Sequence, residues 1–91
     1  MEKTIWKFEL KIMDEQLIHM PKGADLLSVQ TQNGIPCMWV LVDPNNDTED
    51  RYFEIFGTGH KVHCDMGVER EYVGTFQVHN GRLVFHLFER K

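Results

Sequence analysis

Apolar and polar residues alternate with a period of two through most of the chain. Residues 4–12 run Thr-Ile-Trp-Lys-Phe-Glu-Leu-Lys-Ile, with Trp6, Phe8, Leu10 and Ile12 on one side and Lys7, Glu9 and Lys11 on the other. Successive side chains of an extended chain point to opposite faces, so this pattern predicts a strand with one wet face. Asp14-Glu15 marks a turn. Residues 16–20 predict a short second strand, ended by Pro21, which has no N–H for a ladder. After the turn signal Pro21-Lys22-Gly23, Leu27, Val29 and Thr31 predict a third strand, closed by Asn33-Gly34. Residues 37–42, Cys-Met-Trp-Val-Leu-Val, are apolar on both faces and predict a central strand buried on both sides. The stretch from Asp43 to Asp50 has no apolar residue except Pro44 and predicts a loop. Residues 51–56 predict a fifth strand that stops at Gly57-Thr58-Gly59-His60, and 60–71 predict irregular chain.

Residues 72–79 and 82–89 flank Asn80-Gly81, a pair suited to a two-residue hairpin turn because both central positions need positive φ. That turn sets the register. Val78, Phe76 and Gly74 should face Leu83, Phe85 and Leu87 on a wholly apolar core face. Gln77, Thr75 and Val73 should face Val84, His86 and Phe88 on a mixed face. A mixed face of this kind suits a subunit interface or a ligand wall, with Val73, Thr75, Val84, His86 and Phe88 as the interface contacts. About seven short strands and no helical stripe predict one all-β domain over 1–91, a small antiparallel sandwich or barrel ending in a hairpin.

Composition adds limits. A chain of 91 residues buries roughly 64% of its unfolded surface, enough for one core but not for a large enclosed active site. A ligand pocket on so small a chain suits a site built between subunits, which implies a homo-oligomer. The net charge of −4 excludes coating of nucleic acid through bulk charge, which needs clustered Lys and Arg. That excess sits in one segment, where Asp43, Asp47, Glu49, Asp50 and Glu54 outnumber Arg51. Two cysteines, Cys37 and Cys64, are too few for a disulfide scaffold, and no stretch nears the 18 apolar residues of a membrane span. With no apolar leader, the expectation is a cytoplasmic protein with reduced thiols.

Candidate chemistry is sparse. Gly57-Thr58-Gly59-His60 follows a strand, and such glycine turns can present backbone N–H groups to an anion. No Gly-Lys-Ser/Thr follows it, so it is no phosphate loop of the nucleotide-hydrolase type. His60, His63, Cys64 and Asp65 are metal-ligand types but lack paired spacing, and no metal or other cofactor is expected. The Asp43 segment fails as a calcium loop because Thr48 stands where glycine is required. Ser28, the only serine, lacks a glycine elbow, and no nucleophile constellation stands out, so no enzymatic activity is expected. Trp6, Phe8, Phe53, Phe76 and Phe85 are expected in the core. Trp39 and Tyr52 carry polar atoms and suit stacking on a purine or filling an interface. Arg51, Lys61, Arg70 and Arg82 flank loops and suit contact with phosphate.

The segments Lys3-Thr4-Ile5-Trp6-Lys7-Phe8, Met20-Pro21-Lys22-Gly23-Ala24, Gln32-Asn33-Gly34-Ile35-Pro36-Cys37, Val42-Asp43-Pro44, Gly57-Thr58-Gly59-His60, Tyr72-Val73-Gly74-Thr75-Phe76-Gln77 and Leu83-Val84-Phe85-His86-Leu87-Phe88 resemble a family of short phage and prophage proteins of unassigned function. The resemblance runs nearly end to end and brings no catalytic motif. It implies a small accessory protein expressed inside an infected bacterium. Phages use small oligomeric proteins to blunt host defences, one strategy being a sponge that binds a nucleotide immune signal without cleaving it. The expectation is therefore a non-enzymatic homo-oligomer that holds a nucleotide-like or phosphorylated ligand. Gly57, Thr58, Gly59 and His60 would donate, Arg51, Lys61 or Arg70 would meet phosphate, and Trp39 or Tyr52 would stack. The alternative is a protein-interaction module that inhibits a host defence protein by surface contact, through the acidic segment and the outer hairpin face.

Overall fold

Strands β1 (Thr4–Glu9), β2 (Glu15–Pro21), β3 (Asp25–Gln32), β4 (Ile35–Val42), β5 (Thr48–Gly57), β6 (Arg70–Val78) and β7 (Leu83–Arg90) build two antiparallel sheets, consistent with a small sandwich. The computed structural model describes residues 2–64 and 67–91, and no helix occurs among them. The strand orders are β1-β4-β3 and β2-β5-β7-β6.

β4 takes the centre of the three-stranded sheet, between β1 and β3, but the burial expected on both of its faces is complete only toward the other sheet for residues 38–42. Met38, Val40 and Val42 are fully buried against the other sheet, while Trp39 and Leu41 lie half-buried on the outer face. Across the core, β5 contributes Phe53 and Ile55, β6 Phe76 and Val78, and β7 Leu87. Phe8 and Phe85 pack against this cluster. Trp6 shares their inward alternation but stays 39% exposed at the sheet edge, contrary to the core position expected for it.

Several boundaries differ from the pattern-based expectation. β1 stops at Glu9, because the chain then crosses to the other sheet. Gln16 accepts from the Lys11 N–H at 3.2 Å and donates to its carbonyl at 2.7 Å, and this crossing leaves Ile12 exposed. The acidic segment is not all loop. Thr48, Glu49 and Asp50 pair with Pro21, Met20 and His19 of β2, which extends through Pro21. β6 likewise begins at Arg70, before the predicted start.

Two bulges reset faces. A shift between Leu26 and Ser28 leaves Leu27 unpaired and 49% exposed, so Leu26 and Val29 face the core instead of Leu27 and Val29. A second shift lies between Tyr72 and Gly74. The expected hairpin register holds from Val78↔Leu83 to Gly74↔Leu87, and then Tyr72, not Val73, faces Phe88. Leu83, expected in the core, is 45% exposed beside the turn.

The sheets meet closely where β3 runs beside β6. A Cβ built on Gly74 would lie 2.5 Å from Val29 Cγ1, and the Thr31 hydroxyl donates to the Gln77 carbonyl at 2.5 Å. Only a residue without a side chain lets the two backbones approach this far. Gly74→Ala is expected to destabilise the fold by about 1–3 kcal/mol through overpacking. Urea denaturation should show a smaller penalty for the same change in a Val29→Ala background, where the clashing methyl is absent.

Candidate functional site

β5 ends at Gly57, which lies opposite Phe85 of β7. A Cβ at Gly57 would stand 2.8 Å from His60 Cε1, so the bare backbone makes room for the His60 ring to fold back. Gly59 adopts φ +88°, which completes the tight turn. The expected anion nest does not form as drawn from the sequence. The Thr58 N–H donates to the Val84 carbonyl at 3.1 Å, and the His60 N–H donates to the Gly57 carbonyl at 3.0 Å, so both donors are spent within the fold. What the turn does build is a shallow pocket of about 270 Å³, where Gly57, Thr58 and His60 face Arg82, Leu83, Val84 and Phe85.

The remaining expected ligand residues do not converge there. Arg51 points into the sandwich from the far end of β5. Its Nε and Nη2 donate to Glu89 at 2.5 and 2.8 Å, and its Nη1 donates to the Ala24 carbonyl at 2.6 Å. Arg70 crosses the outer face of the four-stranded sheet to Glu54, with Nε–Oε1 at 2.7 Å. It also donates to the His63 carbonyl and stacks over Phe56. Both guanidinium groups are thus consumed by carboxylates that would otherwise be buried alone. Lys61 is exposed in the β5–β6 connection. Trp39 lies on the outer face of the three-stranded sheet, whereas Tyr52 lies on the outer face of the other sheet, hydrogen-bonded to Glu15 and under the Arg90 guanidinium. No single ligand of modest size reaches Trp39 and Gly57 together.

A larger cleft, about 610 Å³, opens beside Arg51 between the β2–β3 turn and the paired ends of β6 and β7. Asp25, Glu49, Glu71 and Glu89 line it against Arg51 and Lys91, so its field disfavours phosphate. Burial alone would raise the Glu89 pKa, but hydrogen bonds from Arg51 and Lys91 outweigh it and hold the carboxyl below its ordinary value.

The outer face of the four-stranded sheet is the most distinctive surface. Phe88 makes edge contacts with Phe56 at 5.8 Å and Tyr72 at 5.5 Å. His86 bridges two hydroxyls, with Nε2 2.7 Å from Thr58 and Nδ1 2.9 Å from Thr75. Thr75 in turn bonds Tyr72 at 2.5 Å. Of the five residues expected at an interface, Thr75, Val84, His86 and Phe88 lie on this face, while Val73 sits in the bulge and packs against the core. Pattern reading missed Leu17, Phe56 and Tyr72. Leu17 and Tyr72 are 62% and 57% exposed. Leu17 joins the face only through the pairing of β2 with β5 (Leu17↔Tyr52), which no local pattern encodes.

Among the described residues no three His, Cys, Asp or Glu side chains are placed to hold a metal ion, and Asp65 of the expected cluster lies outside them. No helix among them is long and apolar enough to cross a membrane.

Glu89 binds fewer protons folded than unfolded, so its contribution to stability is full above the ordinary glutamate pKa and is lost as pH falls through its depressed folded value. Glu89→Gln should therefore flatten the loss of stability on acidification below about pH 4.5, measured by urea unfolding across that range. At neutral pH, Arg51→Met leaves Glu89 buried without its main partner and is expected to cost about 3–5 kcal/mol.

No curated protein and no solved structure matches the chain. A family model described as Domain of unknown function (DUF7352) matches residues 1–91, its whole length, and the chain belongs to that family.

Proposed function

We propose that this protein is a non-enzymatic interaction module that works by surface contact, with the outer face of its four-stranded sheet as the contact surface. The observation that carries this reading is the aromatic and apolar set Leu17, Tyr52, Phe56, Tyr72 and Phe88 on one sheet face, two of whose members are more than half exposed. Aromatic residues at the centre of a patch, ringed by polar groups, suit binding by a few anchors. Here Arg90, Gln77, Asp50 and His19 supply polar positions on the same face. The resemblance to phage and prophage proteins supports a setting inside an infected bacterial cytoplasm, where the partner would be a host defence protein.

Leu17→Glu combined with Tyr72→Glu tests this without opening the core. Tagged wild-type protein should retain a stoichiometric partner from bacterial lysate. The double variant, still unfolding cooperatively well above the binding temperature, should bind that partner at least thirtyfold more weakly, as loss of about 2 kcal/mol at an anchor requires. Equal retention by both proteins refutes the reading.

The pocket between His60 and Arg82 favours a second reading, sequestration of a small nucleotide-like ligand, with its phosphate met by these two side chains instead of by backbone donors. A thermal-shift screen against cyclic dinucleotides and cyclic ADP-ribose derivatives separates the two. Stabilisation that disappears in Arg82→Ala supports sequestration, and its absence at high ligand concentration counts against it.

A further inference from the structure

Four strands stand at sheet edges: β1 and β3 in one sheet, β2 and β6 in the other. An open edge presents a row of unpaired N–H and C=O groups, and folded proteins usually blunt such edges. Three of these edges are blunted. β3 and β6 each carry a bulge, and they close against each other at Gly74 and Val29. β2 ends on Pro21. β1 differs from all three. Its register with β4 runs from Thr4 to Glu9 without a shift, it contains neither proline nor glycine, and it leaves Ile5 56% and Trp6 39% exposed.

We propose that β1 pairs antiparallel with β1 of a second copy about a two-fold axis at Trp6, joining two three-stranded sheets into one of six. The occupant is argued from charge and register. Two-fold pairing that keeps each face on its own side opposes residues of the same parity, because side chains alternate along a strand. An axis at Trp6 sets Trp6 against Trp6, Thr4 against Phe8 and Ile5 against Lys7 of the other copy. It also sets Lys3 against Glu9, twice, as opposite charges. An axis at Lys7 would oppose Lys7 to itself, and one at Ile5 would oppose Lys3 to Lys7 twice; like charges directly opposite are destabilising. An axis at Phe8 would use only residues 7–9 of the strand, which ends at Glu9. Lysines often guard such an edge, but Lys7 reaches away from it across the outer face, where its Nζ donates to Gln32 of β3 at 2.9 Å. Lys3 is 44% exposed and its contact with Asp25 of β3 is long, at 4.0 Å, so Lys3 gives up little by turning to Glu9 of the second copy on the free side of β1. This pairing is independent of the proposed contact surface, which lies on the other sheet and would be displayed twice by the dimer.

The test uses the full chain. Light scattering at 100 µM should give the mass of a dimer. Lys3→Glu should weaken the dimer roughly tenfold, and the double exchange Lys3→Glu with Glu9→Lys should restore it. In a Cys64→Ser background, Trp6→Cys should form a covalent dimer on mild oxidation. Ile5→Cys should not, because its counterpart lies two residues out of register, beyond disulfide reach. A monomeric wild type, failure of the exchange to restore the dimer, or equal cross-linking at positions 5 and 6 overturns the proposal.

Discussion

The close approach of β3 and β6 governs the rest of this molecule. Val29 rests where a side chain on residue 74 would be, so the two sheets meet closely along one side. Both strands carry a bulge near this seam, and each bulge turns an apolar side chain, Leu26 in one case and Val73 in the other, into the core. With β3 and β6 meeting there, β1 and β2 lie at the other edges of their sheets, and the outer faces are left to meet solvent or partners.

Electrostatics follow from the same geometry. Two arginines that look available in the sequence reach inward or across a face to neutralise Glu89 and Glu54, both nearly fully buried. A buried carboxylate without a cation is costly, so the fold commits each guanidinium before any ligand arrives. The charge excess of the segment from Asp43 to Glu54 is therefore divided. Glu49 and Asp50 lie on a paired strand, Glu54 is buried beneath Arg70, and the solvated remainder is smaller than the residue count implies.

The aromatic face proposed as a contact surface emerges from strand order. β7 lies between β5 and β6, so Phe88 touches Phe56 on one neighbour and Tyr72 on the other. Because β5 and β6 both run antiparallel to β7, they are parallel to each other, and the connection between them has to travel the length of the sheet. Its His63 carbonyl is anchored to Arg70, which ties that connection to the aromatic face. A face built this way is hydroxyl-linked and aromatic.

Alternation alone determined that the chain is all-β, that residues 37–42 lie at the centre of a sheet, and that the last two strands form a hairpin with Val78 opposite Leu83. These features are local, because side-chain parity and the positive φ of Asn80-Gly81 act over a few residues. The bulges are not local, because one unpaired residue is decided by what lies across the sheet; Val73 packs inward where alternation predicts an outward position. The composite ligand site is not local either. Whether Arg51, Trp39, Tyr52 and Gly57 share a surface depends on sheet membership and strand order, which are long-range consequences of closing the sandwich at Gly74. The tertiary structure put Trp39 and Tyr52 on the outer faces of different sheets and Arg51 and Gly57 at opposite ends of one inner face. It gathered Leu17, Phe56, Tyr72 and Phe88, because packing a core between two sheets settles which alternate residues remain outside.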